Sequence, residues 1–262
     1  MINRFKENYS LGISYISLAL EIDRFPNYFL ERGICKYELR DFEGACKDLD
    51  YAIMLGPKFK INYYWMACCK YELKDFNGSI EELNQAITLP NPKYYNSCFS
   101  DDIFYSLRGD NKYELTDFEG AIEDADKAIE IDSNNDGHFS LRANCKYELG
   151  YFESAIKDLD KAIEINPNDE DYFLWRAENK YESGDLNGCL EDLNKGLKID
   201  MNNKFLWCAM SHLKLKTKDY QAAFESIEKA ILFDNKRSWF YHTRGIIKMK
   251  MKDFSSAIKD FD

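Results

Sequence analysis

The chain has 262 residues, 45% of them hydrophobic and 15% aromatic, which is ample for a packed interior. Its formal net charge of −11 argues against general affinity for nucleic acid or anionic membrane, because both repel an acidic chain at long range. No apolar run reaches the ~20 residues of a membrane-spanning helix, and Met1 is followed by polar residues, not by a basic and then apolar leader.

Residues 9–22, YSLGISYISLALEI, have the apolar spacing of an amphipathic helix without a partner before it. Beyond them the tetrapeptide Lys-Tyr-Glu-Leu recurs at Lys36–Leu39, Lys70–Leu73, Lys112–Leu115 and Lys146–Leu149, with a variant at Lys180–Ser183. These lysines stand 34, 42, 34 and 34 residues apart, and the register continues to Lys214 and Lys248. A period of 34 predicts an all-α solenoid of helix-turn-helix repeats. In that register residues 1–25 form an orphan half repeat, followed by repeats over 26–59, 60–93, 102–135, 136–169, 170–203 and 204–237 and a truncated one over 238–262. Residues 94–101 are an insertion, in a stretch rich in Pro, Asn and Ser that reads as a loop. It is either a contact surface on a rigid scaffold or a tolerated insertion. Neither end carries the polar outer face of a capping repeat, which predicts a longer array or ends that pack on another molecule.

Each repeat reads as two helices, over 27–39 and 42–54 in the first. The second helix carries small and apolar residues at i, i+4 and i+7: Ala45, Leu49 and Ala52, then Ser79, Leu83 and Ala86, and so on to Ala223, Ile227 and Ala230. That spacing puts them on one stripe, where small size lets a neighbouring helix come close. Asp41, Asp75, Asp117, Asp185, Asp219 and Asp253 precede the second helices and are placed to cap their open amides; the fourth repeat has Tyr151 instead. The eight cysteines, with no Cys-x-x-Cys pair, read as reduced thiols packed as small hydrophobes, which suits a cytoplasmic location.

Phe29, Gly33, Tyr37, Asp41-Phe42, Ala45, Ala52-Ile53 and Pro57, with their counterparts along the chain, resemble the tetratricopeptide repeat. The resemblance implies antiparallel helix pairs stacked in a right-handed superhelix, first helices lining the concave face, and work as a scaffold or adaptor that binds peptides or proteins. One departure is an Arg and Lys four residues apart on the first helix, as at Arg32/Lys36, Arg108/Lys112, Arg142/Lys146, Arg176/Lys180 and Arg244/Lys248, opposite a recurrent second-helix carboxylate. Met66 and Met210 replace the arginine in two repeats, and Ser226 replaces the acid in one of these. Either the Arg and the acid pair between helices, or both are simply solvated.

By the same resemblance the inward face carries a row of tyrosines (Tyr37, Tyr71, Tyr113, Tyr147, Tyr181) beside a row of glutamates (Glu38, Glu72, Glu114, Glu148, Glu182). Asp110, Asn144, Glu178 and His212 stand one helical turn before the tyrosine register. The partner-binding candidates are thus Tyr71, Glu72, Asp110, Tyr113, Glu114 and Asn144, then Tyr147, Glu148, Glu178, Tyr181, Glu182 and His212. Such a face suits a basic peptide. The alternative is that the tyrosines pack between helices and the glutamates are only solvated. Trp175, Trp239 and His242 also break the repeat pattern, as duplicated packing residues do not. The last repeats turn apolar and basic, with Leu215, Met249, Lys216 and Lys250. The Lys and Asn with which tetratricopeptide co-chaperones clamp a terminal carboxylate are not at the matching positions, and Asp110 would repel one.

There is no phosphate-binding Gly loop, no Gly-x-Ser-x-Gly and no His-x-x-x-His, so neither catalysis, a cofactor nor a metal is expected. His138, His212 and His242 read as surface or groove residues, the last two placed on successive first helices where they could face each other. The expectation is a non-enzymatic protein-binding scaffold. The alternatives are a regulatory or targeting module of a larger protein, and self-assembly through open repeat ends.

Overall fold

The computed structural model describes residues 2–90 and 100–262, and among them it contains fifteen α-helices and no strand. The chain divides into two compact units, Met1–Ser133 and Asn134–Asp262. The first holds α1 (Ile2–Ile22) and three antiparallel pairs: α2 (Pro26–Glu38) with α3 (Phe42–Leu55), α4 (Lys60–Glu72) with α5 (Phe76–Thr88), and α6 (Asp102–Glu114) with α7 (Phe118–Ile131). The second holds four pairs: α8 (Asp136–Glu148) with α9 (Phe152–Ile165), α10 (Glu170–Ser183) with α11 (Leu186–Ile199), α12 (Lys204–Lys216) with α13 (Tyr220–Phe233), and α14 (Ser238–Lys250) with α15 (Phe254–Phe261). Within each unit successive pairs stack, so this is an all-α solenoid. Of the expected insertion loop over 94–101, residues 94–99 lie outside the described residues. The first helix starts at Ile2 and not at Tyr9, because residues 2–8 contain neither Gly nor Pro to stop it.

Local chemistry sets the hairpins. Asp41, Asp75, Asp117 and Asp185 each accept a hydrogen bond from the amide three residues on, at 2.9–3.1 Å. Asp219 and Asp253 do the same at 3.2 Å, whereas α9, behind Tyr151, opens without a side-chain cap. The first helix of each pair ends in a left-handed residue. Two of these are Gly150 and Gly184, but Arg40, Lys74, Thr116, Lys218 and Lys252 hold φ of 61–67°. Except after Gly184, the amide that follows folds back on the helix, as Asp41 N–H does on the Lys36 carbonyl at 2.9 Å.

Packing then joins the helices. Ala45, Leu49, Ala52, Leu83, Ala125 and Leu159 have no exposed surface, as the small-residue stripe requires. At Gly33 an added Cβ would lie 3.1 Å from Leu49 Cγ, which marks how closely α2 crosses α3. The Arg–carboxylate pairing is present and is bidentate. Arg32 donates from Nε and Nη2 to Asp48 at 2.8 and 2.6 Å, and Arg108, Arg142, Arg176 and Arg244 treat Asp124, Asp158, Asp192 and Asp260 in the same way. The partner lysine closes on the same carboxylate, as Lys180 does on Asp192 at 2.8 Å. Each guanidinium also lies 5.0–5.8 Å from an aromatic centroid three residues earlier.

A third arm escaped the sequence analysis. Nη1 of Arg32, Arg108, Arg176 and Arg244 reaches back to Ser17, Asn84, Asp160 and Glu228, all on the helix preceding the pair. One arginine therefore ties three helices. Where methionine replaces it, Met66 and Met210 are buried; Lys70 still bonds Glu82 at 2.6 Å, and Ser226 donates to the Ala222 carbonyl at 2.8 Å.

Candidate functional site

In the first unit the tyrosine ring of each pair meets the aromatic that opens the next helix. Tyr37 lies edge-on to Phe42 at 5.4 Å, and Tyr71 and Tyr113 to Phe76 and Phe118 at 5.5 Å. The rings remain half-buried, so they brace the hairpin corner and still present area to solvent. Glu72 and Glu114 are exposed beside them. Asp110 is half-buried; burial first, and the charge of Glu114 second, push its carboxyl up to about 7. Burial together with Asp110 and Glu114 raises the Tyr71 hydroxyl, so these three share one neighbourhood.

The second unit gathers more. A cavity of about 130 Å³ opens where α8, α10, α11 and α12 meet, lined by Tyr147, Glu178, Tyr181, Glu182, Cys189 and His212. A second cavity of about 370 Å³ runs between α10, α12 and α14, lined by Asp171, Leu174, Trp175, Phe205, Cys208 and Trp239. Both also include Glu178, Ala209 and His212, so they form one continuous trough. Of the residues singled out in the sequence, Tyr147, Glu178, Tyr181, Glu182 and His212 thus converge. Asn144 is half-buried and Glu148 exposed on α8, and neither lines either cavity.

The trough's electrostatics follow from its walls. Glu178 keeps surface open to water, yet helices enclose it; that burial, then Glu182, pushes its carboxyl up to about 7. Burial also raises Asp171, with Glu170 and Asp169 adding to it, and pulls the His212 imidazole below its ordinary value. The ammonium of Lys216 sits 3.9 Å from the Tyr181 ring centroid and donates to the Tyr181 carbonyl at 3.1 Å. Phe205 and Trp239 stack with centroids 6.4 Å apart and planes 9° from parallel.

The histidines differ from expectation. His138 is a core residue, 2% exposed at the start of α8, and not a surface one. His212 Nε2 lies 3.4 Å from Thr243 Oγ1, while His242 packs on the Phe261 ring at 5.6 Å, so the two have separate neighbours. Among the described residues no group of three His, Cys, Asp or Glu side chains could hold a metal ion. No helix among them is long and apolar enough to cross a membrane.

Sequence reasoning missed Asp171, Phe205 and Cys189. Two of these were findable: Gly137, Asp171, Phe205 and Trp239 occupy one position of the 34-residue register. That column changes from Gly137 to Asp171 to Phe205, which packing alone does not ask of it.

Residues 139–169 match a tetratricopeptide repeat family model, and residues 62–92 and 206–237 match a second model of the same repeat. The chain carries tetratricopeptide repeats. Such repeats typically build protein-interaction scaffolds and are generally non-enzymatic. Among solved structures it is similar to a tetratricopeptide repeat protein from Parabacteroides merdae, with TM-score 0.73 and 17% identity over 90% of each chain. It is also similar to a chain of the APC/C hetero-tetramer Cut9–Hcn1, with TM-score 0.71 and 14% identity, where 90% of this chain spans 45% of that one. A third is YrrB, described as having an unusual peptide-binding site, with TM-score 0.58 and 15% identity over 78% of this chain and 97% of that one. These likenesses establish the fold. No curated protein sequence matches the chain.

Proposed function

We propose that the chain is a scaffold that binds a basic segment of a partner protein along the first-helix face of its second unit. The observation that carries this reading is the continuous trough in which Glu178, Glu182 and Asp171 stand among Tyr147, Tyr181, Trp175 and Trp239. Burial costs the Glu178 and Asp171 carboxylates hydration, a cost that a basic ligand would offset. Aromatic side chains supply the rigid area that dominates most interfaces. The acidic charge of the whole chain favours the same class of partner and disfavours nucleic acid and anionic lipid. YrrB, with the same fold, offers a precedent for a peptide site in such a protein.

The test is capture of partners from a native extract on the parent chain and on Glu178→Lys/Glu182→Lys. The proposal expects the parent's partners to be lost from the variant and to elute from the parent with moderate salt. An unchanged partner set with unchanged salt dependence would move binding to another face.

A further inference from the structure

We propose that the trough reads two side chains of an extended segment, a Lys or Arg and, two residues away, a large aromatic. This rests on the reading of the trough as a binding site and deepens it by naming what is recognised.

The two ends of the trough differ in chemistry. At the end nearer the hairpin corners, the cavity walls offer two carboxylates, Glu178 and Glu182, and two phenol rings, Tyr147 and Tyr181. Carboxylates with aromatic faces form a cation site, and the chain supplies its own example there: the Lys216 ammonium rests over Tyr181 and on its carbonyl.

At the other end Leu174, Trp175, Phe205 and Trp239 form an apolar wall around a larger space of about 370 Å³. Trp239 is 40% exposed at that wall, an aromatic surface left facing water. Asp171 is the charged side chain on this lining besides the shared Glu178, and it stands at the opening turn of α10. An aromatic side chain fits this end by size and by ring contact.

For a segment that runs along α10, the offset of the two ends along that helix sets the spacing. Along α10 the residues lining the two cavities are centred about five positions apart, which is roughly 7 Å at the helical rise. Two residues of an extended chain span about the same length and point their side chains to one side. A basic residue, any residue and an aromatic therefore fit the two ends together.

The experiment is selection of peptides from a random-sequence display library on the full chain, on Glu178→Gln/Glu182→Gln and on Trp239→Ala. All three substituted side chains are solvent-facing, and far-UV circular dichroism checks that each variant keeps the parent's helicity. The expected result is enrichment of Lys/Arg-x-aromatic on the parent. The glutamine variant should weaken the preference for the basic residue at least tenfold while keeping the aromatic, and Trp239→Ala should do the reverse. Peptides that respond to both variants but share another motif would overturn this inference and leave the trough as the binding site. Peptides indifferent to both variants, or no enrichment at all, would overturn the inference and the binding reading together.

Discussion

The arginine staple can be tested by copying one helix pair's solution into another. In α12 and α13 the chain already places Met210 and Ser226 where other pairs have Arg and Asp, both buried, with Lys214 retained. Substituting Arg176→Met and Asp192→Ser reproduces that arrangement in α10 and α11. The Asp192 side chain has no exposed surface and receives Arg176 at 2.8 and 2.7 Å and Lys180 at 2.8 Å. Removing Arg176 alone leaves an enclosed carboxylate with Lys180 at 2.8 Å and the more exposed Lys195 at 3.9 Å. The cost is about 2 kcal/mol, below the usual range for a broken buried pair because Lys180 remains. Removing Asp192 alone strands two cations, of which Arg176 keeps only the half-exposed Asp160, at about 3 kcal/mol. The double variant strands Lys180 alone, where Asp192→Ser strands two cations, and should cost about 2 kcal/mol, leaving a coupling of about 3 kcal/mol. Urea denaturation followed by far-UV circular dichroism on the four proteins measures it. Additive single effects, with coupling under about 0.5 kcal/mol, would refute the staple as an energetic unit. The pH dependence gives a second check. Burial alone would raise the Asp192 carboxyl, but hydrogen bonds and charge from Arg176 and Lys180 outweigh it and hold it low. Its contribution is therefore present above the ordinary aspartate value and is lost as pH falls through the depressed one, so the parent's advantage over Asp192→Ser should shrink in acid.

Two further outcomes follow from the structure. Glu178 has a raised carboxyl, so the folded chain favours its protonated form; stability falls as pH rises past the ordinary glutamate value and levels off above about 7. Glu178→Gln should then raise the melting temperature at pH 8 and change it little at pH 4, and an equal shift at both would be contrary to the sign. Thr116 holds φ of 61° with a β-branched side chain, where its counterparts Gly150 and Gly184 are glycine. Thr116→Gly should stabilise the chain by about 1 kcal/mol, read as a shift in the urea midpoint, and a loss of stability would show that the left-handed turn is not strained.

Much of the fold was legible because its causes are local. An aspartate three residues before an amide, an Ala-Leu-Ala stripe and a 34-residue echo are short-range facts, and they recur often enough to average out exceptions. The Arg-to-Asp pairing was legible as well, since both residues disappear together in α12 and α13. The third arm to Ser17, Asn84, Asp160 and Glu228 was not, because those acceptors vary in type and length and leave no common letter to notice. His138 misled for a related reason: a polar side chain at a helix start looks solvent-facing until its neighbours are placed.

The candidate site divides in the same way. Repetition in the amino-acid sequence determined the helix pairs, the caps and the line of tyrosines and glutamates, since one physical solution was reused in each hairpin. Only the tertiary structure decided that Glu178 and His212 belong to two cavities at once, and that Asp171, Phe205 and Trp239 continue the wall. Those residues lie on three successive first helices, α10, α12 and α14, and what brings them together is the stacking of one hairpin on the next. That stacking is set by buried side-chain shape, which a one-letter pattern does not carry.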